Sequence, residues 1–247
     1  MEHLAIVRRR LRDQRLAADP LDTPEDVVGW LGAVQAQEYA EAKWSVGQRL
    51  RGGTEARIDA ALDAGTIVRT HVLRPTWHFV AAADARWLLR LTAPRVHQLN
   101  RYWYRKFELD PDVLARGHAV LTAALSAGAP RTRRELAAAL AEAGIPADGL
   151  RLGYLLMHAE LEQLICSGPR RGRQHTYARF DDRVADTAHV AREQALAELC
   201  LRFFRSHGPA TVADLTKWSS LTVTLKAGLA LLGGALESRV DDDGTTW

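Results

Sequence analysis

The chain has 247 residues, 47% hydrophobic and 7% aromatic, long for one core and more comfortable as two or three small units. Basic residues number 33 against 30 acidic, a net charge of +3, which is compatible with a nucleic-acid partner without being diagnostic of one. Two cysteines, Cys166 and Cys200, exclude a disulfide framework, and no apolar run approaches the roughly 18 residues of a membrane span. With no signal segment at Met1, a reduced, soluble, cytoplasmic protein is expected.

Leu4, Val7 and Leu11 mark a first helix, whose run Arg8-Arg9-Arg10-Leu11-Arg12 reads as a solvated face or as the lining of a DNA channel. Thr23-Pro24-Glu25-Asp26 supplies an N-cap, a proline at the first helical position and acids in the first turn. Val27, Trp30, Leu31 and Val34 then form a helical stripe running up to Gln35-Ala36-Gln37. At about 100° per residue, two positions two apart point to nearly opposite sides of a helix. Gln35 and Gln37 therefore converge only if the backbone leaves the helix there; otherwise they are ordinary solvated helix formers. A converging pair can hold a water, a base edge or a sugar, and is expected to face a concave, arginine-lined surface.

A helix from about Tyr39 to Leu50 follows, then one capped by Thr54, carrying Ile58, Ala61 and Leu62 and closed by Gly65. Residues 67–80 read as a hairpin turning at Arg74-Pro75, with Asp84 capping the helix behind it. Arg69, His71, Arg74 and His78 make this hairpin a candidate DNA contact, stiffened by Pro75. The alternative is a wing with Trp77 and Phe79 in the core and Arg74 paired with an acid. His71 and His78 have no cysteine or acidic partner at ligand spacing, so no metal is expected, and no cofactor. The run from Asn100 to Phe107 interleaves aromatics with bases, which suits nucleic-acid stacking or, more simply, a helix end packing Trp103 and Phe107.

Asp110-Pro111 starts a helix through about Ser126; Thr132 and Glu135 form a capping box for a second, stopped by Gly144; a third carries Leu152, Leu155, Leu156, Ala159 and Leu161. A strand at 164–166, a turn at 167–173 and a return strand at 175–178 complete the order of a winged helix-turn-helix unit. In such a unit the third helix can enter the major groove, and Arg170, Arg171 and Arg173 on the wing suit phosphate contact. The alternative is a solvated tip whose charges block edge pairing. The order recurs downstream: a helix over 190–207, a Thr211-capped helix with Leu215 and Trp218, a third with Leu225, Leu229 and Leu232, then strands at 236–240 and 245–247. The expected fold is mainly α with small β hairpins, in three tandem winged helix-turn-helix units spanning 1–108, 109–185 and 186–247, the last cut short at its C-terminal end.

No Gly-x-Ser-x-Gly, Walker loop or dinucleotide fingerprint occurs. Three stretches carry a resemblance instead: residues 33–37 around Gln35 and Gln37, residues 69–78, and residues 207–211 with Asp214 and Trp218. Together they resemble the tandem winged-helix DNA glycosylases of the AlkZ-like and YcaQ-like kind. The resemblance implies a catalytic role for Gln35 and Gln37 and hydrolysis of the N-glycosidic bond of alkylated purines, of the N7-alkylguanine class and including interstrand crosslinks. It implies duplex DNA as partner, with no membrane, no protein partner and a monomer. The family usually continues into a C-terminal β-rich domain, whereas this sequence stops at Trp247, so a fragment or shortened member is expected. Deglycosylation passes through an oxocarbenium-like state. An N7-alkylated guanine is already cationic and leaves without an enzyme acid, so placing a water and stabilising the sugar cation are what remain for two amides. A silent winged-helix DNA-binding or regulatory protein, or a protein–protein scaffold, shares the same architecture without the chemistry.

Overall fold

The computed structural model describes residues 3–221 and 225–240; the strand expected at 245–247 lies outside them. The chain is mainly helical with two small antiparallel sheets. After α1 (His3–Asp13), α2 (Pro24–Leu31) begins where the caps predict, with the Thr23 hydroxyl accepting from the Asp26 amide. It ends earlier than the apolar stripe implies, because Gly32 takes φ of 79° and turns the chain into β1 (Val34–Gln35). Next come α3 (Tyr39–Gly47), α4 (Glu55–Ala64), β2 (Ile67–His71) and β3 (Trp77–Ala81). The sheet runs β1-β3-β2, with Gln35 opposite His78 and Arg69 opposite Phe79.

The long helix α5 (Ala82–Lys106) starts with Ala81 at its N-cap position, so Asp84 is not the cap expected of it. Asp84 instead sits in the first turn, where it accepts from the Trp87 indole at 3.0 Å and pairs with Arg202. The element order then repeats: α6 (Pro111–Ala124), β4 (Arg131–Thr132), α7 (Arg133–Glu142), α8 (Gly149–Leu161), β5 (Ile165–Arg171) and β6 (Gln174–Arg179). The second sheet runs β4-β6-β5, the same topology as the first. Its hairpin is longer than the sequence suggests. Gly168-Pro169 lies within β5 at a register irregularity, and only Gly172 and Arg173 separate the two strands. A bulge tolerates a proline, which has no N–H to offer the ladder.

The third helical group comprises α9 (Arg192–His207), α10 (Val212–Ser219), whose Thr211 and Asp214 form a capping box, and α11 (Leu225–Leu232). Residues 236–239 form no strand, Val240 makes a single bridge, and the rest of the hairpin expected there lies outside the described residues.

Two cores belong to the two sheets: Val27, Leu31, Ile58, Ile67 and Phe79 in one, Leu121, Leu136, Leu155 and Tyr177 in the other. A third joins everything. Leu88, Leu89 and Val96 of α5 meet Met157 and Phe180 on one side and Leu196, Leu199, Phe203 and Leu215 on the other. The three parts thus share apolar surface, with α5 as the common wall. This burial narrows one expectation. Leu155, Leu156, Met157, Ala159, Glu160 and Leu161 of α8 are all buried, so the fold covers the last two turns of the helix and leaves its first turn, with Leu150 exposed, as the part open to a groove. The first helix departs in the opposite sense: Leu4, Val7 and Leu11 face solvent while Ile6 is buried.

Candidate nucleic-acid interface

Gly32 releases the chain from α2, and the segment that follows is extended. The Ala36 amide donates to the Trp77 carbonyl at 2.7 Å, continuing the β1–β3 ladder one residue past Gln35. In an extended chain, residues two apart share a face. Gln35 and Gln37 accordingly emerge together, both exposed, with Ala36 buried between them. β1 is an edge strand, and arginines flank the two glutamines: Arg74 on the side chain of Gln35 and Arg69 on the backbone at Ala36.

Both carboxamides are oriented. Arg74 Nη2 donates to Gln35 Oε1 at 3.0 Å, and the Trp77 amide approaches Gln37 Oε1 at 3.4 Å. A carbonyl oxygen has two lone pairs, so each glutamine keeps one acceptor site and its NH2 donors for a ligand. Arg69 holds the backbone beneath them. Its Nε and Nη2 donate to the Ala36 carbonyl at 3.1 and 2.8 Å, and its guanidinium lies 4.4 Å from the Trp77 ring centroid and 5.6 Å from that of Tyr39. Tyr39 extends this aromatic platform: His175 packs edge-on to it at 4.6 Å, and the Arg170 guanidinium stands 5.3 Å over its ring. Burial, and after it the charges of Arg69, Arg170 and Lys43, pushes the His175 pKa down to about 4.

The turn that presents Arg74 is tightly held. Leu73 is fully buried with φ of 64°, an unusual conformation for a branched residue, and its amide donates to Thr92 Oγ1 of α5 at 3.2 Å. Arg74 Nε is buried without a hydrogen-bond partner among the described residues.

The other expected contacts divide. His71 and His78 are 5% and 1% exposed, which removes them from reach of a phosphate. His71 Nδ1 is paired with the fully buried Glu160 of α8, and its ring packs on Trp77 at 4.0 Å; His78 Nδ1 bonds the Thr76 carbonyl at 2.9 Å. Arg171 is tied to Glu135 and to the Pro130 carbonyl, both at 2.7 Å, whereas Arg173 at the tip is exposed. The aromatic run near the end of α5 is a packing feature: Trp103 stacks on Phe107 and Tyr154 at 5.8 and 5.6 Å.

The family model of the AlkZ-like DNA glycosylases matches residues 28–247. The chain belongs to this family. A curated relative from Streptomyces sahachiroi, the interstrand DNA cross-link repair glycosylase, is 27% identical over 227 residues, covering 88% of this chain and 61% of its own length. The chain therefore spans about three fifths of that relative. The solved structure of the Streptomyces sahachiroi DNA glycosylase AlkZ superposes with a TM-score of 0.79 at 24% identity, over 96% of this chain and 66% of that one, so the fold is shared.

In this AlkZ-like chain the three stretches singled out in the sequence meet in space. Residues 34–36 pair with the hairpin, and the third stretch reaches the turn that frees them. Trp218 packs against Gly32, whose modest space would put an added Cβ 3.4 Å from the indole, and Trp218 itself lies 5.6 Å from His207. Tyr39, Trp77, Thr92 and Glu160 were not expected at the site. Tyr39, two residues beyond Gln37, carried the one available signal, since an extended exit from the motif leaves it close by.

Proposed function

We propose that this chain hydrolyses the N-glycosidic bond of alkylated purines in duplex DNA, of the N7-alkylguanine class and including interstrand crosslinks, with Gln35 and Gln37 as the catalytic amides. The observation that carries the reading is the presentation of two oriented carboxamides on one exposed face, braced by Arg69 and Arg74. Water adds to the sugar C1′ as the C1′–N9 bond breaks. The bonding pair moves onto the base, cancelling its positive charge, and the water's second proton passes to solvent. The free lone pair of either amide oxygen orients the water, and the carbonyl dipole opposes the positive charge developing on the sugar. Arg74, Arg170 and Arg173 supply the cationic surface for the backbone of the damaged strand.

The repeated order helix–strand–helix–helix–strand–strand, with its middle strand last in sequence, supports winged helix-turn-helix units at 1–108 and 109–185. Residues 186–247 are proposed as the third. No helix among the described residues is long and apolar enough to cross a membrane, and the proposed setting is a cytoplasmic monomer on DNA.

Release of free 7-methylguanine from methylated duplex DNA is the test. The parent chain should release it, and Gln35→Ala with Gln37→Ala should abolish release while leaving the melting temperature unchanged. Release that survives the double substitution would remove the mechanism, and DNA binding without any release by the parent would favour the silent DNA-binding reading.

A further inference from the structure

Where α5, α6 and α8 meet, a group of histidines has no role in the glutamine chemistry. His97 of α5, His118 of α6 and His158 of α8 pack in a row with tilted rings, centroids 4.5 Å apart between His97 and His158 and 4.9 Å between His118 and His158. Glu162, the residue that ends α8, completes the group. One ligand atom each from His97, His158 and Glu162 lie within 4.8 Å of one another. His97 Nε2, His118 Nε2 and His158 Nδ1 are all buried without a hydrogen-bond partner among the described residues. Buried polar atoms are nearly always satisfied, so three unsatisfied ones together in one place require an explanation.

We propose that His97, His158 and Glu162, with His118 beside them, bind a divalent transition-metal ion of the zinc type. The geometry around His97 supports this. Tyr104 Oη lies 2.9 Å from Nδ1 and also receives the Asn100 amide at 3.4 Å, so Nδ1 is engaged outside the cluster and Nε2 is the ring atom turned into it, as when a ligating histidine is oriented by an outer hydrogen bond. Nε2 lies 3.1 Å from Glu162 Oε1 without hydrogen-bond alignment. The spacing is close to the edge of a zinc tetrahedron, about 3.3 Å for bonds near 2.0 Å.

Imidazole with carboxylate is a donor set suited to zinc, and the half-exposed Glu162 side chain leaves an entry path. Because its ligands come from α5, α6 and α8, the ion would brace the first two parts of the fold against each other.

The test uses the full chain without a histidine tag, stripped with a chelator. Zinc is titrated in competition with a chromophoric chelator, and cobalt is followed by visible absorption. One equivalent of zinc should bind, raise the melting temperature, and give cobalt a tetrahedral-type spectrum. His158→Asn should abolish uptake. Glu162→Gln, on a half-exposed side chain that should not impair folding, should weaken it by about tenfold or more. No stoichiometric uptake by the folded chain would overturn the proposal in favour of a shared proton or buried water. Uptake unchanged in both Glu162→Gln and His97→Asn would overturn it by placing the ion elsewhere.

Discussion

Arg69 distinguishes two accounts of the hairpin. As a phosphate contact it would face DNA; in the structure its fork is turned inward, onto the Ala36 carbonyl, between the rings of Trp77 and Tyr39. Hydrogen bonds from a charged donor contribute about 1.5–3 kcal/mol, and each guanidinium–ring contact adds about 0.5–1. Removing the guanidinium from water opposes these gains, and the same burial lowers the Arg69 pKa. Arg69→Ala should therefore cost about 2–4 kcal/mol, which for a chain of this size is a fall of roughly 10 °C in melting temperature. Arg69→Lys keeps the charge but cannot fork, and should recover less than half of that loss. Differential scanning calorimetry gives the stability, and fluorescence anisotropy against salt gives the number of phosphate contacts. The expected result is a large melting shift with an unchanged salt slope in the folded fraction. A melting temperature within about 2 °C of the parent, together with a slope reduced by about one contact, would refute the inward assignment.

Arg74→Ala should behave in the opposite way, weakening binding to damaged and undamaged duplex alike and lowering the salt slope by about one, with little change in melting. Thr92→Val is nearly isosteric but leaves the buried Leu73 amide unpaired, at about 1–3 kcal/mol. It should lower melting temperature and DNA affinity together, because the Leu73 turn presents Arg74; affinity equal to the parent's would separate the turn from the contact. Glu135 is held at about 2, below its ordinary 4.5, chiefly by the Thr132 amide and then by Arg171. Its folded pKa is depressed, so its contribution is present above pH 4.5 and lost as pH falls towards 2; Glu135→Gln should flatten that acid limb in circular-dichroism titrations.

The caps were legible because they are local. Thr23, Thr54, Asp110, Thr132 and Thr211 each accept the amide three residues on, as side-chain chemistry alone dictates. The apolar stripe was less reliable: Val34 continues the spacing of α2, yet Gly32 has already left the helix and Val34 is buried as strand. Periodicity records which residues are buried, and a short strand against the same core buries its residues too. The histidines failed for another reason. His71 looked exposed on a basic hairpin because its partner, Glu160, lies 89 residues away on a helix of the second part. For the same reason His97, His118 and His158 show no ligand spacing, being brought together from three separate helices.

An edge strand is a poor place to hold the two amides proposed as catalytic unless something outside the strand fixes it. Here the constraints arrive from each part of the chain. Trp77 and Arg69 fix the Ala36 amide and carbonyl, leaving the two flanking side chains no freedom to rotate onto opposite faces. Trp218 of α10 closes on Gly32, where the chain first leaves α2. Glu160 of α8 holds His71 beneath Trp77, so the ring that stacks on Arg69 is itself supported from the second part. Orientation contributes to catalysis in proportion to how little the groups must be reordered when substrate arrives. That requirement gives the otherwise costly burial of Glu160, whose Oε1 has no partner among the described residues, a physical purpose. The buried carboxylate anchors the aromatic layer on which the glutamine segment rests.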